Sequence, residues 1–334
     1  MTKQNKKLYS SLINRIALVL FINQGLLLAL SSIAATLEIS LISSVGESVF
    51  LDIIFRTLEC IVYFVSFIIP VNVFNKMNKN SEKEIYEPKE CKNATSTQAF
   101  FMLGLGLCAT FAATYLNYYL VDTFSNYGEF SQKYLWNAEL DHAYQVIIYI
   151  IYCAIIPAIV EELLFRGAIC RTLGVYGKKT AVVLSAVLFA LMHSNIEQLL
   201  YTFVAGLALA WIYVETKKII YPMLLHFINN AISVMDDVIL AKCSAEIYEV
   251  YSVCVYILIF AFVIISIVGF VYTWRREGTV FDKTQMKPDE NGEDVLPLSI
   301  SEKISGFFTT RMTLFTVYSI LMMTYYIYLS TQLI

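Results

Sequence analysis

The stretch Pro157-Ala-Ile-Val-Glu161-Glu162-Leu-Leu-Phe-Arg166-Gly167 sets two acids and a base in an otherwise apolar run. An ionised side chain at mid-bilayer costs about 2.5–3.5 kcal/mol on insertion scales, so adjacent carboxylates there need a reason other than packing. Glu162 and Arg166 stand four apart and share a helix face, in the favourable acid-first order for pairing. Glu161 points about 100° away and is free to face something else, which makes it the candidate general base. The chain has three histidines, and two lie in apolar segments: His193 closes Phe189-Ala-Leu-Met-His193, and His226 opens His226-Phe-Ile-Asn-Asn230. His226 and Asn230 are again four apart and can project into one cavity. His142, beside Asp141 at a membrane boundary, reads as incidental, and Asp236 and Asp237 read as interfacial.

A carboxylate among apolar side chains suits a general base near neutral pH. It could take a proton from water that His193 orients, while His226 and Asn230 donate hydrogen bonds to the oxyanion developing on an amide. The same Glu161, His193 and His226 could instead hold a zinc ion that activates its own water. The residues alone leave both schemes open. The chain contains no His-Glu-x-x-His zinc helix, no Gly-x-Ser-x-Gly nucleophile and no pair of membrane-centred aspartates. Pro157 and Pro222 each lie four residues before a polar site residue, where a missing backbone donor can open a helix and make room for water.

Apolar spans must position these groups. Of 334 residues, 58% are hydrophobic and 15% charged, and mean hydropathy is +0.63, a balance that a soluble domain could not hide in one core. Segments near 16–36, 57–75, 99–121, 143–172, 180–195, 198–216, 219–240, 250–273 and 307–329 match the roughly 20 residues that cross a bilayer. The expected fold is an all-α polytopic membrane bundle of eight to nine spans. Lys3, Lys6, Lys7, Arg15, Lys76, Lys79, Lys83, Lys89, Lys92, Arg171, Lys178, Lys179, Lys217, Lys218, Arg275 and Arg276 fall on alternate ends and mark the cytoplasmic side, the amino terminus included. On the opposite side, residues 37–50 have no Lys or Arg, 122–142 has only Lys133, and Lys242 stands alone. Counting from those basic ends at ~1.5 Å per residue puts Glu161 at roughly 18 Å, His193 at 20 Å, His226 at 10 Å and Asn230 at 16 Å, within one layer.

Seven cysteines, Cys60, Cys91, Cys108, Cys153, Cys170, Cys243 and Cys254, show no metal or redox spacing and read as small core residues. The stretches 76–98 and 274–305 have the mixed charge of solvated loops. Tyr127, Phe130, Tyr134 and Trp136 within 122–142 fit an interfacial aromatic belt. The first apolar run is long for a cleaved signal and reads as an anchor. The acceptor pattern Asn93-Ala94-Thr95 falls in a loop assigned to the cytoplasm and is discounted.

Glu161-Glu162-x-x-x-Arg166, Phe189-x-x-x-His193 and His226-x-x-x-Asn230, in that order and all in apolar helices, resemble the three motifs of the CAAX protease and bacteriocin-processing family of intramembrane endopeptidases, which includes the type II CAAX prenyl endopeptidases. The resemblance implies a core over 143–240, flanked by spans 1–142 and 241–334. It implies Glu161 as base, His193 positioning water or metal, His226 and Asn230 polarising the carbonyl, and Glu162, Arg166 and Phe189 supporting them. It also implies a peptide or membrane-protein substrate, and no nucleic acid. The Lys-, Asn-, Ile- and Tyr-rich composition looks like that of a low-GC bacterium, so the expected location is a bacterial cell membrane.

Two other functions use the same residues. A non-catalytic scaffold or bacteriocin self-immunity protein would keep the polar cavity without hydrolysis, and replacing Glu161 with Gln would leave its activity intact. An ion-coupled transporter would use the intramembrane acids and histidines as an ion path, though no inverted repeat is visible.

Overall fold

The computed structural model describes residues 2–79, 93–125, 140–277 and 298–332. Lys83, Lys89, Cys91, Lys92, Tyr127, Phe130, Lys133, Tyr134 and Trp136 lie outside the described residues. Among those described, the chain is helical without strands: α1 (Thr2–Val45), α2 (Val49–Asn78), α3 (Ser96–Ser125), α4 (Ala143–Tyr176), α5 (Lys178–His193), α6 (Ile196–Thr216), α7 (Ile220–Lys242), α8 (Ala245–Glu277), α9 (Ile300–Phe307) and α10 (Thr310–Gln332). All nine expected segments are helices, and seven of them, α1 to α4 and α6 to α8, are long and apolar enough to cross a membrane. The protein is an integral, multi-pass membrane bundle. Length and composition do not carry the count to nine: α5 is only 16 residues long, and α10 is not among the seven.

Local sequence sets the turns. Gly46 and Gly177, at φ 86° and 108°, make the α1–α2 and α4–α5 corners in a region that a side chain would strain. Ser194 and Lys217 end α5 and α6 in the left-handed conformation. The Asn195 side chain then caps α6 by accepting from the Glu197 N–H at 2.9 Å.

The hairpin of α5 and α6 packs against α4, with α1, α2 and α10 on one side and α3, α7 and α8 on the other. Gly206 lets α6 approach α5: a Cβ there would meet the Ala186 Cα at 2.9 Å. Helix α8 turns Leu258, Phe260 and Val268 outward, as lipid contact requires.

Two expectations need correction. The stretch 274–305, read as a solvated loop, contains α9, which starts at a capping box between Ser299 and Glu302. Its charges hid a short amphipathic turn. Lys303 on α9 donates to the Tyr176 carbonyl at 2.9 Å and the Thr180 hydroxyl at 2.8 Å, tying the C-terminal region to the α4–α5 corner. Burial there holds its ammonium below the ordinary lysine range. The cysteines are not uniformly core: Cys170 is buried, but Cys254 is exposed on the apolar face of α8.

Candidate active site

Helix α4 is not a regular α-helix where the site lies. It widens to i→i+5 hydrogen bonding over Ile151–Ile155 and again over Leu163–Cys170, so the Ile156 N–H donates to the Ile151 carbonyl and the Arg171 N–H to that of Arg166. Such widened turns recur at functional sites. Glu161 and Glu162 lie on the seven-residue α-helical piece between them. Pro157 explains part of the irregularity. A proline cannot donate to the carbonyl four residues earlier, that of Cys153. The Asn230 side-chain amide donates to that oxygen at 2.9 Å. Pro222 opens nothing, contrary to expectation. It falls in the first turn of α7, where backbone donors have no intrahelical partner anyway.

Glu162 and Arg166 are fully buried and pair at 2.7 Å. The same carboxylate oxygen accepts from His226 Nδ1 at 2.9 Å, so one acid holds a base on its own helix and an imidazole on α7. That contact puts a proton on Nδ1 and leaves His226 Nε2 for the cavity. Arg166 also donates to the Gly206 carbonyl at 3.1 Å and lies over the Phe189 ring at 4.6 Å. Phe189 in turn meets the rings of His193 and His226 edge-on at 4.7 and 6.0 Å. His193 Nδ1 takes up the Phe189 carbonyl at 2.7 Å, which leaves its Nε2 free.

Glu161, Phe189, His193, His226 and Asn230 line one cavity of about 590 Å³, whereas Glu162 and Arg166 do not reach its wall. The sequence's candidate residues thus divide into a set on the cavity and a buried pair behind it. Glu161 is 4% exposed. One of its oxygens accepts from the Tyr63 hydroxyl on α2, and the other, Oε2, is buried without a hydrogen-bond partner among the described residues. His142 is exposed, stacks on Tyr144 and stays off the cavity wall. Asp237, read as merely interfacial, lies on that wall and accepts from Tyr149 at 2.7 Å.

Sequence reasoning missed Tyr63 and Glu197, both on the wall. Tyr63 is one of 23 tyrosines in an apolar chain and carries no spacing signal. Glu197 sits just outside the expected sixth span, in the first turn of α6.

Zinc on Glu161, His193 and His226 would need three donor atoms about 2 Å from one point. Among the described residues, no three His, Cys, Asp or Glu side chains gather that closely. The side chains as they stand do not fit a metal.

Residues 143–232 match the family model described as type II CAAX prenyl endopeptidase Rce1-like, and they contain all three motifs. Over this segment the chain is similar to the CAAX protease and bacteriocin-processing family. A protein of Bacillus subtilis (strain 168) described as "Putative membrane peptidase YdiL" is 33% identical over 101 residues, which is 29% of this chain and 41% of that relative. The chain therefore aligns with less than half of that relative's length. No solved structure matches it. Tyr63, on α2, lies outside the matched segment, so a flanking span supplies part of the cavity wall.

Proposed function

We propose that this chain is an intramembrane endopeptidase in which Glu161 activates water. One observation carries the proposal. Glu161 is buried on the wall of a cavity that His193, His226 and Asn230 share, with one oxygen held by Tyr63 and the other without a protein partner. A buried carboxylate oxygen lacking a partner calls for a polar ligand, and for a hydrolase that ligand is the attacking water.

Glu161 takes a proton from water as the water oxygen bonds to the scissile carbonyl carbon. His193 Nε2 orients that water. The second hydrogen of the Asn230 amide, and His226 Nε2 when it carries a proton, stabilise the oxyanion. Glu161 then passes its proton to the amide nitrogen, the C–N bond breaks, and a carboxylic acid and an amine leave. Glu162 and Arg166 fix the His226 ring from behind. The matched family and the peptidase name of the Bacillus relative support this reading. The substrate class they suggest is a membrane-associated or C-terminal peptide.

The test compares membrane and secreted peptides from cells carrying the wild-type protein, Glu161→Gln or His226→Ala at equal abundance. Truncated peptides that vanish in both variants establish proteolysis and name the substrate. Identical peptides, with the physiological role preserved, would replace it with the scaffold.

A further inference from the structure

The cavity wall carries three carboxylates, Glu161, Glu197 and Asp237, and no lysine or arginine among the described residues. Arg166 is hidden behind the wall on Glu162. Lys242, at the end of α7 beyond Asp237, is off the wall and paired with Asp141 at 3.2 Å. No cation of the described wall offsets this charge.

The three acids are not equivalent. Glu161 is held by Tyr63 and Asp237 by Tyr149. The Glu197 carboxylate accepts no hydrogen bond and pairs with no cation among the described residues, although its backbone is fixed on both sides. Its N–H donates to Asn195 Oδ1, and its carbonyl accepts from the Asn117 amide. An acid in the first turn of a helix is often explained by the helix dipole. Here Asn195 already caps α6, and the Glu197 side chain lines the cavity instead. The partnerless Oε2 of Glu161, on a side chain more than nine-tenths buried, marks this cavity as one that receives a polar ligand.

Helix geometry sets the scale. From the ends of α4, α5 and α6 that face the basic loops, Glu161, His193 and Glu197 are roughly 22, 22 and 28 Å along at ~1.5 Å per residue. Glu197 thus lies roughly 6 Å beyond the reacting level, or about two residues of an extended peptide at ~3.3 Å each. Asp237, exposed at the rim with Tyr118 and Ser233, lies on the outward side.

We infer that the site takes peptides bearing a lysine or arginine side chain within about two residues of the scissile bond, with its cation seated on Glu197. This names a substrate class and rests on the endopeptidase reading above. A charged side chain drawn into a wall without cations gains a charge-assisted hydrogen bond, and an acidic residue in its place is repelled by three carboxylates.

The experiment uses the full-length protein in lipid nanodiscs and acetylated, amidated, internally quenched peptides that differ only in carrying Lys, Gln or Glu near the bond. Cleavage efficiency for Lys over Gln is expected at roughly tenfold, the equivalent of about 1.4 kcal/mol. Glu197→Gln should collapse that ratio, and Glu197→Lys should invert it toward the Glu peptide. Equilibrium binding of the Lys and Gln peptides to the Glu161→Gln protein is measured in parallel and does not depend on turnover. If no peptide is cut but the Lys peptide still binds in preference through Glu197, the endopeptidase reading falls and the recognition stands. If Lys and Gln peptides are bound and cut alike, the recognition is overturned while the endopeptidase reading survives. A Gln peptide with a free amino terminus that outruns the acetylated Lys peptide would also overturn it, in favour of amino-terminal recognition.

Discussion

The Asn230 side-chain amide donates at 2.9 Å to the Cys153 carbonyl, the oxygen that Pro157 leaves without its usual helical donor. Asn230 therefore has a structural task beside any part in catalysis, and the two can be separated. Asn230→Ala is expected to cost about 1 kcal/mol by removing the side-chain donor of a part-buried carbonyl. In a Pro157→Ala background, where position 157 regains an N–H, that stability cost should shrink, while the loss of peptide cleavage should stay as large. Thermal unfolding of all four proteins in one detergent, with cleavage assays on each, completes the cycle. A stability cost that is unchanged by Pro157→Ala would show that the carbonyl finds no helical donor there.

Tyr63→Phe removes the hydroxyl that holds Glu161 and keeps the ring, which packs against Phe67 at 5.0 Å and Tyr152 at 5.6 Å. Cleavage should fall by about 10–100-fold through kcat, with KM little changed, because positioning of the base is lost and the substrate wall is not. Unfolding temperature should hardly move. Equal losses in stability and rate would reduce Tyr63 to a packing residue.

What the sequence disclosed, and what it hid, follows from contrast with the surroundings. Glu161, Glu162, Arg166, His193 and His226 stand out because ionisable groups are costly in apolar spans, and the four-residue spacings foretold the Glu162–Arg166 pair. The contact between Glu162 and His226 spans 64 residues, and no local pattern encodes it. Tyr63 is hidden for the opposite reason: a tyrosine in an apolar helix is unremarkable until its hydroxyl finds a partner. The widened turns of α4 left only Pro157 as a clue. In the fold, apolar length gave nine helical segments, but α9 was averaged away among charged neighbours.

Arg166→Ala leaves Glu162 buried with His226 as its remaining partner. Breaking a buried pair from one side costs about 3–5 kcal/mol, so this variant should be among the least stable point variants of the protein. Replacing both partners, as Glu162→Gln with Arg166→Met, should recover much of the lost stability because no buried charge remains. Cleavage should not recover, since His226 loses the carboxylate that orients it. Unfolding midpoints read against activity separate these outcomes, and a double variant less stable than Arg166→Ala would contradict the charge argument.

Gly206→Ala should destabilise by about 1–3 kcal/mol. The added Cβ meets the Ala186 Cα at 2.9 Å and its Cβ at 3.1 Å, forcing α5 from α6 and disturbing the Gly206 carbonyl that receives Arg166. Gly25→Ala serves as the control, because nothing lies within 4 Å of a Cβ there. In the interior of α1 it should be neutral or gain about 0.5–1 kcal/mol. Similar effects at the two positions would show that the helices adjust freely and that the α5–α6 approach is not tight.

Chelation tests the water-activation scheme. Glu161, His193 and His226 line the same cavity, but no three metal-binding side chains gather closely among the described residues. Activity is therefore expected to persist after exhaustive dialysis against a strong zinc chelator, with metal analysis of the purified protein finding less than stoichiometric zinc. His193→Ala should slow cleavage by about 10²-fold or more, the order of a lost positioning or proton-handling group, without changing the metal content. Zinc bound one to one, lost on His193→Ala and needed to restore activity after chelation, would show that the three side chains close around an ion, and Glu161 would then act as its ligand.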